Sequence, residues 1–203
     1  MKSSFVFLSL WAVALAACAQ SADRCEDCEL LFEGMPATLN ASAQLAGPDE
    51  PGEKLFIEGT IYQPDGKTPA PDIVLYVYHT DASGRYSPGP TQTQARRHGH
   101  LRGWVKSDAK GWYSIRTIRP ASYPNSRNPQ HIHPIVVESR SRYYWIDDYL
   151  FTDDSLLTAQ EKAHQPGRGG SGIVTLRREG DVWKGRRDIV LGRGIPDYTA
   201  VKK

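Results

Sequence analysis

The chain has 203 residues, of which 39% are hydrophobic and 24% are charged, with 18 Gly and 14 Pro. These proportions fit one globular domain and exclude a fibrous or largely disordered chain. The 25 Lys and Arg residues nearly balance the 23 Asp and Glu residues, so no broad cationic surface is expected and a nucleic-acid partner is not predicted. Ten Tyr and five Trp residues, together with the glycines and prolines, favour strands joined by tight turns.

The first 17 residues are predicted to be a secretory signal peptide rather than part of the fold. Their apolar run, Phe5–Leu15, is too short for a stable membrane span. The run ends in the sequence LAAC at Leu15–Cys18, which resembles the lipoprotein box of exported bacterial proteins. This resemblance implies cleavage before Cys18 and a lipid anchor on its sulfur in the bacterial cell envelope. Ala19, and not Asp, follows the cysteine, which favours the outer membrane. A plain secretory cleavage site is the alternative.

Export would give the remaining two cysteines an oxidising environment. For Cys25 and Cys28 we therefore predict a disulfide. A metal site built on this C-x-x-C is the weaker interpretation, because no second Cys/His pair at zinc-finger spacing follows it. Residues 37–54 are small, polar and rich in Pro and Gly. Residues 18–53 are accordingly predicted to be a tether, and residues 54–203 the folded domain.

The rest of the chain has the apolar pattern and the turn signals of β-strands. Turns with Asp followed by Gly separate the apolar runs, at 65–66, 81–84 and 108–111. Strands are predicted at residues 55–62, 73–78, 114–118, 131–138, 143–151, 172–176 and 183–191. Only residues 154–164 have partial helical spacing, behind a cap at Thr152 or Asp153. The fold predicted from this order is all-β, an antiparallel β-sandwich with short helical insertions.

Two His-x-His pairs are candidates for metal binding. On an extended strand, residues i and i+2 project to the same face, so His131 and His133 can place two imidazoles on one ion. His98 and His100 form the second pair, but they lie in a Gly-containing basic loop in which no predicted strand fixes the rings. Because such pairs also occur by chance, the first pair gains weight only from its surroundings.

Three motifs make up those surroundings: Gly84-Arg85-Tyr86, a Thr-Ile-x-Pro-x-x-Tyr-Pro run that contains Tyr123, and Pro-x-His-Ile-His itself. In this order, over about residues 55–155, they resemble the intradiol ring-cleavage dioxygenases, the family that includes catechol and protocatechuate dioxygenases. The resemblance implies a β-sandwich in which four side chains hold a non-haem ferric ion. These four are Tyr86, Tyr123, His131 and His133.

The implied ligand set suits the implied chemistry. Two phenolates are hard anionic donors for Fe(III), two neutral imidazoles complete four ligands, and a fifth position is left to water or hydroxide. The resemblance implies that a catechol-type substrate chelates through both oxygens, with Tyr123 leaving as the internal base and Tyr86 remaining. O2 would then open the ring between the hydroxyls and give a muconate-type diacid. The implied enzyme is an oxidoreductase that incorporates both atoms of O2.

One position departs from the family pattern. Family members that cleave aromatic diols usually carry Arg three residues before the first ligand His, whereas this chain has Asn128 there and Arg127 beside it. Arg127 either serves as the catalytic cation through a shifted loop or is a solvated loop charge. Pro134, after the second ligand His, removes a backbone donor and predicts an edge or bulged strand.

Other interpretations stand beside this one. Tyr113 follows a turn like that of Tyr86 but begins an alternating strand, which favours core packing. The alternative function is a transthyretin-like or carboxypeptidase-regulatory-like β-sandwich, a binding module without catalysis that shares the turn features. Tyr123 and the following His-x-His pair distinguish the two, because a binding module does not need converging phenols and imidazoles. A third interpretation is a feeble relative that keeps iron but has lost its arginine.

Overall fold

Two six-stranded sheets make up the computed structural model, which describes residues 27–199. The strands in chain order are β1 (Ser42–Gln44), β2 (Lys54–Tyr62), β3 (Val74–His79), β4 (Arg102–Lys106), β5 (Trp112–Ile118), β6 (His131–Ser139), β7 (Arg142–Trp145), β8 (Tyr149–Phe151), β9 (Ile173–Val174), β10 (Arg177–Glu179), β11 (Val182–Arg186) and β12 (Ile189–Val190). One short helix, α1 (Ala159–Ala163), and two 3-10 turns, Cys28–Phe32 and Gln94–His98, complete the elements. The predicted signal peptide, Cys18 and Cys25 lie outside the described residues. Between residues 27 and 199, no helix has the length and apolar character needed to cross a membrane.

The strand order is β1-β5-β2-β11-β10 in the first sheet, where β12 also pairs with β2. The order in the second sheet is β4-β3-β6-β8-β9, where β7 also pairs with β6. The central pairs β2–β5 and β3–β6 are antiparallel, whereas β1–β5, β2–β11, β2–β12 and β8–β9 are parallel. The predicted all-β sandwich is confirmed, but both sheets are mixed rather than purely antiparallel. Long connections between these partners allow parallel pairing, which tight hairpins do not.

The core lies between the sheets and follows the alternation of the strands. Leu55, Ile57 and Ile61 of β2 are at most 1% exposed and belong to one cluster with Leu75 and Val77 of β3. Burial of these side chains supplies most of the driving force for folding, at about 25 cal/mol for each Å² of apolar surface removed from water. The sandwich therefore gives the loops at its ends a rigid support.

The region before β2 differs from the predicted tether. Strand β1 pairs with β5, and the turn at Cys28–Phe32 packs on the second sheet, where Leu31 and Tyr76 belong to one buried cluster. Trp104 Nε1 donates a hydrogen bond to the Leu31 carbonyl at 2.8 Å. Cys28 is fully buried and disulfide-bonded, and Cys25, its predicted partner, lies outside the described residues. Polar composition did not prevent this packing, because edge pairing needs only backbone groups.

Several predicted elements have different bounds in the structure. The predicted strands 143–151 and 183–191 are each divided in two, and the predicted helix 154–164 is reduced to α1. The helix begins after Thr158, whose side chain accepts a hydrogen bond from the Glu161 backbone nitrogen at 3.2 Å, and not after Thr152 or Asp153. Three strands that the sequence did not predict are β1, β4 and β10.

The prediction for Pro134 was wrong about the strand edge. Strand β6 lies inside its sheet, between β3 on one side and β7 and β8 on the other. The Pro134 carbonyl accepts from the Ile146 nitrogen, so its backbone faces the side on which β7 ends and β8 has not begun. The backbone N–H that Pro134 lacks would therefore point to the gap between β7 and β8, where β6 has no strand partner on that side. The register of β6 and β7 does shift, but farther along, between Val137 and Ser139.

Candidate metal centre

The turn after β3 positions Tyr86. Asp81 Oδ1 accepts hydrogen bonds from the backbone nitrogens of Ser83 and Arg85 at 2.8 and 3.2 Å, and its Oδ2 accepts from Ser87 Oγ at 2.5 Å. Burial works against ionisation of Asp81, but the hydrogen bonds from Ser83 and Ser87 outweigh it and lower its pKa to about 2. An ionised Asp81 therefore holds the turn at neutral pH, and Tyr86 with it.

The loop that carries Tyr123 packs directly on this turn. Gly84 has a φ of +76°, and a Cβ atom there would lie 2.1 Å from the Ser122 carbonyl oxygen. Thr80 Oγ1 donates a hydrogen bond to the Ala121 carbonyl at 2.6 Å. Only glycine permits so close an approach of two backbones, and this approach brings the two tyrosines together.

The start of β6 supplies both histidines. His131 Nδ1 lies 2.6 Å from the Pro129 carbonyl oxygen, and His133 Nδ1 lies 2.9 Å from Asp148 Oδ1. Because a carbonyl and a carboxylate accept hydrogen bonds, each Nδ1 carries the proton and each Nε2 presents a lone pair. Asp148 directly precedes β8, whose pairing with β6 brings the carboxylate beside His133.

The four predicted ligands converge on one point. The Tyr86 and Tyr123 phenol oxygens are 2.6 Å apart, and Tyr86 Oη is 2.8 Å from His133 Nε2. Tyr123 Oη is 2.9 Å from His131 Nε2 and 3.3 Å from His133 Nε2. These spacings fit donor atoms that share one small ion with ligand bonds of about 2 Å. The structure thus brings together all four side chains named from the sequence.

Electrostatics prepares these groups for a cation. Burial raises the pKa of Tyr86 and Tyr123, and it lowers the pKa of His131. The imidazole is therefore neutral and able to ligate, whereas the phenols stay protonated without a compensating positive charge. A hard trivalent cation would supply that charge, and two phenolate oxygens with two imidazole nitrogens suit such an ion.

Asp148 was not singled out from the sequence. It stood within a predicted strand, and the acidic pair Asp147-Asp148 in that otherwise apolar run was the only available signal. Within residues 27–199, His131, His133 and Asp148 form the one group of three or more His, Cys, Asp or Glu residues whose ligand atoms come within 4.8 Å of one another. The Tyr78 ring stacks on the His133 ring with the centroids 4.7 Å apart.

The remaining candidates lie elsewhere. Arg127 is exposed in the loop before β6, and no hydrogen bond or ion pair joins it to another residue of the described chain. Tyr113 is fully buried, and its hydroxyl bonds Tyr149 and the Arg187 carbonyl, which is the predicted core role. The rings of His98 and His100 are engaged with other partners and do not meet.

A cavity of about 370 Å³ adjoins the centre on the side of His133 and Asp148. Its walls are mostly aromatic and apolar and include two carboxylates, and no Lys or Arg is among its described lining residues. Those residues are Tyr78, His133, Pro134, Ile135, Trp145, Ile146, Asp147, Asp148, Gln165 and Pro166. The volume is sufficient for one substituted aromatic ring.

Comparisons with known proteins agree with this fold. A family model described as Dioxygenase matches residues 32–160. Catechol 1,2-dioxygenase 1 of Acinetobacter lwoffii is 28% identical over 197 residues, which cover 80% of this chain. The chain spans 62% of the length of that relative.

Solved structures extend the agreement to three dimensions. The dioxygenase domain of a dioxygenase and carbohydrate-binding protein fusion from Streptomyces sp. SirexAA-E matches with a TM-score of 0.58 at 19% identity, over 83% of this chain and 96% of that one. Catechol 1,2-dioxygenase from Acinetobacter sp. ADP1 matches with a TM-score of 0.56 at 21% identity, over 82% of this chain and 63% of that one. At such identities the structures establish the fold alone. Because the family model covers more than half of the sequence, the chain belongs to the intradiol ring-cleavage dioxygenase family.

Proposed function

We propose that this protein is a non-haem ferric dioxygenase that opens a catechol-type ring between its two hydroxyls, using O2, and releases a muconate-type diacid. The observation that carries the proposal is the convergence of two phenol oxygens and two imidazole nitrogens, with contacts of 2.6 to 3.3 Å. The residues assigned as ligands are Tyr86, Tyr123, His131 and His133.

The ferric ion, when bound, supplies the Lewis acidity that favours an ionised, chelated diol reactive toward O2. We assign Tyr123 as the group that takes a proton from the diol. Its hydroxyl touches three potential partners in the centre, and the residues after it, Pro124 and Asn125, are exposed. Tyr86 is tied into the Asp81 turn, so it is the phenol better suited to remain in place.

The cavity beside His133 supports a single-ring substrate. Tyr78 and Trp145 offer aromatic faces, and the described lining includes two carboxylates and no Lys or Arg. A ring that carries a carboxylate would find no cation there to balance its charge. We therefore expect neutral catechols to be better substrates than carboxylated ones.

The role of Arg127 as a catalytic cation stays a prediction, because its side chain is exposed and without a partner in the described chain. A sandwich that only binds a protein or glycan is not favoured. That alternative gives no reason for two phenols and two imidazoles to meet, and the family match points to a dioxygenase.

Oxygen uptake by the iron-loaded protein tests the proposal. We expect uptake with catechol, together with a diacid that carries both atoms of 18O2, and slower turnover of protocatechuate. Tyr86→Phe should abolish uptake, whereas Tyr113→Phe, which alters a buried phenol outside the centre, should keep it. Absence of uptake and of diacid across catechols, gallates and hydroxyquinols would contradict the proposal.

We also infer that the protein is exported and anchored to the cell envelope through a lipid on Cys18. The support is the LAAC run at Leu15–Cys18 behind an apolar segment of signal-peptide length. Metabolic labelling with an alkyne fatty acid should mark the wild-type protein in membranes and not the Cys18→Ser variant. Equal labelling of both proteins, or of neither, would contradict this inference.

A further inference from the structure

The two histidines of the centre are held by different partners. His131 Nδ1 donates to the neutral Pro129 carbonyl, whereas His133 Nδ1 donates to the Asp148 carboxylate. A carboxylate binds the imidazole proton more strongly than a carbonyl does, because the hydrogen bond is assisted by charge. The two nitrogen donors are therefore unequal before any ion arrives.

Asp148 is fixed from both sides of the chain. The preceding Asp147 accepts hydrogen bonds from the Gly167 and Arg168 backbone nitrogens at 2.9 and 3.0 Å. A Cβ atom on Gly172 would lie 2.0 Å from the Asp148 carbonyl oxygen, so glycine is needed for the close approach at this point. The carboxylate consequently keeps a defined place, although its side chain is 35% exposed.

The charge state of Asp148 agrees with this arrangement. The ordinary pKa of an aspartic acid, about 3.9, leaves its side chain ionised at neutral pH. Arg187 adds a buried positive charge, and its guanidinium donates to the Asp147 carbonyl and stacks on the Tyr149 ring. The acceptor for His133 is thus an anion and not a neutral acid.

From this geometry we propose that Asp148 is a positioning residue that fixes His133 with its proton on Nδ1 and makes His133 the stronger nitrogen donor to the ion. The inference rests on the proposed function. Outer carboxylates of this kind orient a ligating histidine and increase its basicity. In this protein the effect would apply to one of two histidines, so the two nitrogen donors available to the ion would be unequal.

Two substitutions separate charge from orientation. Asp148→Asn keeps an oxygen acceptor but removes the charge, and Asp148→Ala removes both. Asp181→Asn is the matched control, because it deletes the same charge from an exposed carboxylate that pairs with Lys54 at 2.6 Å. Three readouts apply to each protein: the His133 tautomer by NMR of the metal-free form, the affinity for ferric ion, and the tyrosinate-to-iron absorption band.

The Nδ1–H tautomer should dominate in the wild type and in Asp181→Asn and should be lost in Asp148→Ala. Ferric affinity should fall by about 10- to 100-fold in Asp148→Ala and by less in Asp148→Asn. The absorption band should move to longer wavelength in Asp148→Asn, because a less electron-rich donor leaves the ion a stronger acceptor.

The inference would be overturned if both Asp148 variants kept the wild-type His133 tautomer, ferric affinity and absorption band. Should Asp148→Ala fail to fold, an unchanged affinity and band in Asp148→Asn would overturn it alone. A wild-type protein that takes up no ferric ion would refute the proposed function instead. In that event the metal-free tautomers still decide whether Asp148 fixes His133.

Discussion

The chain contains two His-x-His pairs, and only one of them forms a centre. His131 and His133 lie on β6, and their ring centroids are 4.5 Å apart. His98 ends a 3-10 turn and stacks on Tyr78 at 3.8 Å, while His100 Nε2 pairs with Glu50 at 2.9 Å. The same spacing thus gives opposite results, because an extended backbone puts i and i+2 on one face and a turn does not.

The second pair instead supports the first. Gly99, between its histidines, has a φ of +67°, and a Cβ atom there would lie 3.1 Å from the Tyr86 Cα. His100 donates from both its backbone nitrogen and Nδ1 to the Ser87 carbonyl. The loop therefore packs on the backbone of Tyr86 and holds the Ser87 carbonyl that follows it. The second His-x-His motif thus does not bind the ion in this proposal but helps to hold Tyr86, a proposed ligand.

Removing a proposed ligand histidine should have the largest effect on iron binding and activity. His133→Ala should lower ferric affinity by more than about 100-fold and abolish ring cleavage, since it deletes a donor and not an outer partner. His100→Ala, the matched change in the second pair, should retain iron. Metal content and oxygen uptake measure both. Equal iron loss in the two variants would remove the distinction between the pairs.

Gly99→Ala should have the next largest effect. The positive φ and the contact with Tyr86 together should cost about 2–3 kcal/mol of unfolding free energy and weaken the tyrosinate band. Gly167→Ala is the control, because Gly167 has a φ of +77° with no atom within 4 Å of a Cβ. It should cost about 1 kcal/mol and leave the band unchanged. Identical stability and spectra for the two variants would show that the loop does not hold Tyr86.

The pH dependence of stability should differ within the second pair. Burial, with the Arg102 charge, lowers the pKa of His98 from 6.5 to about 4. The unfolded chain then takes up a proton below about pH 6.5 that the folded chain does not, so stability falls as pH falls from 6.5 to 4. His98→Gln should reduce this loss by about 1 kcal/mol per pH unit between pH 6 and 5.

The contribution of His100 to stability changes with pH in the opposite direction. Burial lowers its pKa, but the Ser87 carbonyl and Glu50 outweigh this effect and the net shift is upward. Its stabilising contribution is present below pH 6.5 and is lost as pH rises through the folded pKa. Urea unfolding at several pH values measures both variants. Parallel profiles for wild type, His98→Gln and His100→Gln would contradict the assignment.

Arg127→Ala should have the smallest effect of the four. As the predicted catalytic cation, an exposed arginine would contribute about 1 kcal/mol, so its removal should decrease kcat/KM roughly fivefold. Arg85→Ala, an exposed arginine beside Tyr86, is the control and should leave kcat/KM near the wild-type value. Equal values for Arg127→Ala and wild type would identify Arg127 as a solvated loop charge.

The sequence predicted the central strands because their apolar patterns are long. Strands β2, β5 and β6 each have seven or more residues that fit a strand pattern. Strand β3 is a continuous run of mostly β-branched and aromatic residues. Strand β4 escaped detection because Gly103 interrupts its pattern, and a Cβ atom there would lie 3.2 Å from the Leu45 side chain. Strand β1 has three polar or small residues and pairs with β5 through its backbone and a 2.8 Å hydrogen bond between the Ser42 and Ser114 hydroxyls, which no apolar pattern reveals.

The residues of the centre also differ in whether a short sequence motif or a contact between distant segments identifies them. The four proposed ligands lie in short motifs whose order resembles a known family, so they were predicted from the sequence. Asp148 stands 15 residues after His133, and its hydrogen bond depends on the register of β6 against β8. From the sequence, Gly84 was assigned to a turn and Gly99 to a basic loop. Their contacts with Ser122 and Tyr86 appear only when separate loops are placed together.

The visible spectrum of the protein saturated with ferric ion tests the central claim most directly. Two tyrosinates on one ferric ion should give an intense absorption band, which Tyr86→Phe and Tyr123→Phe each diminish and Tyr113→Phe leaves intact. Anaerobic addition of catechol should shift the band. A ferric-saturated protein without colour, or one whose colour persists unchanged in both Tyr86→Phe and Tyr123→Phe, would contradict the account.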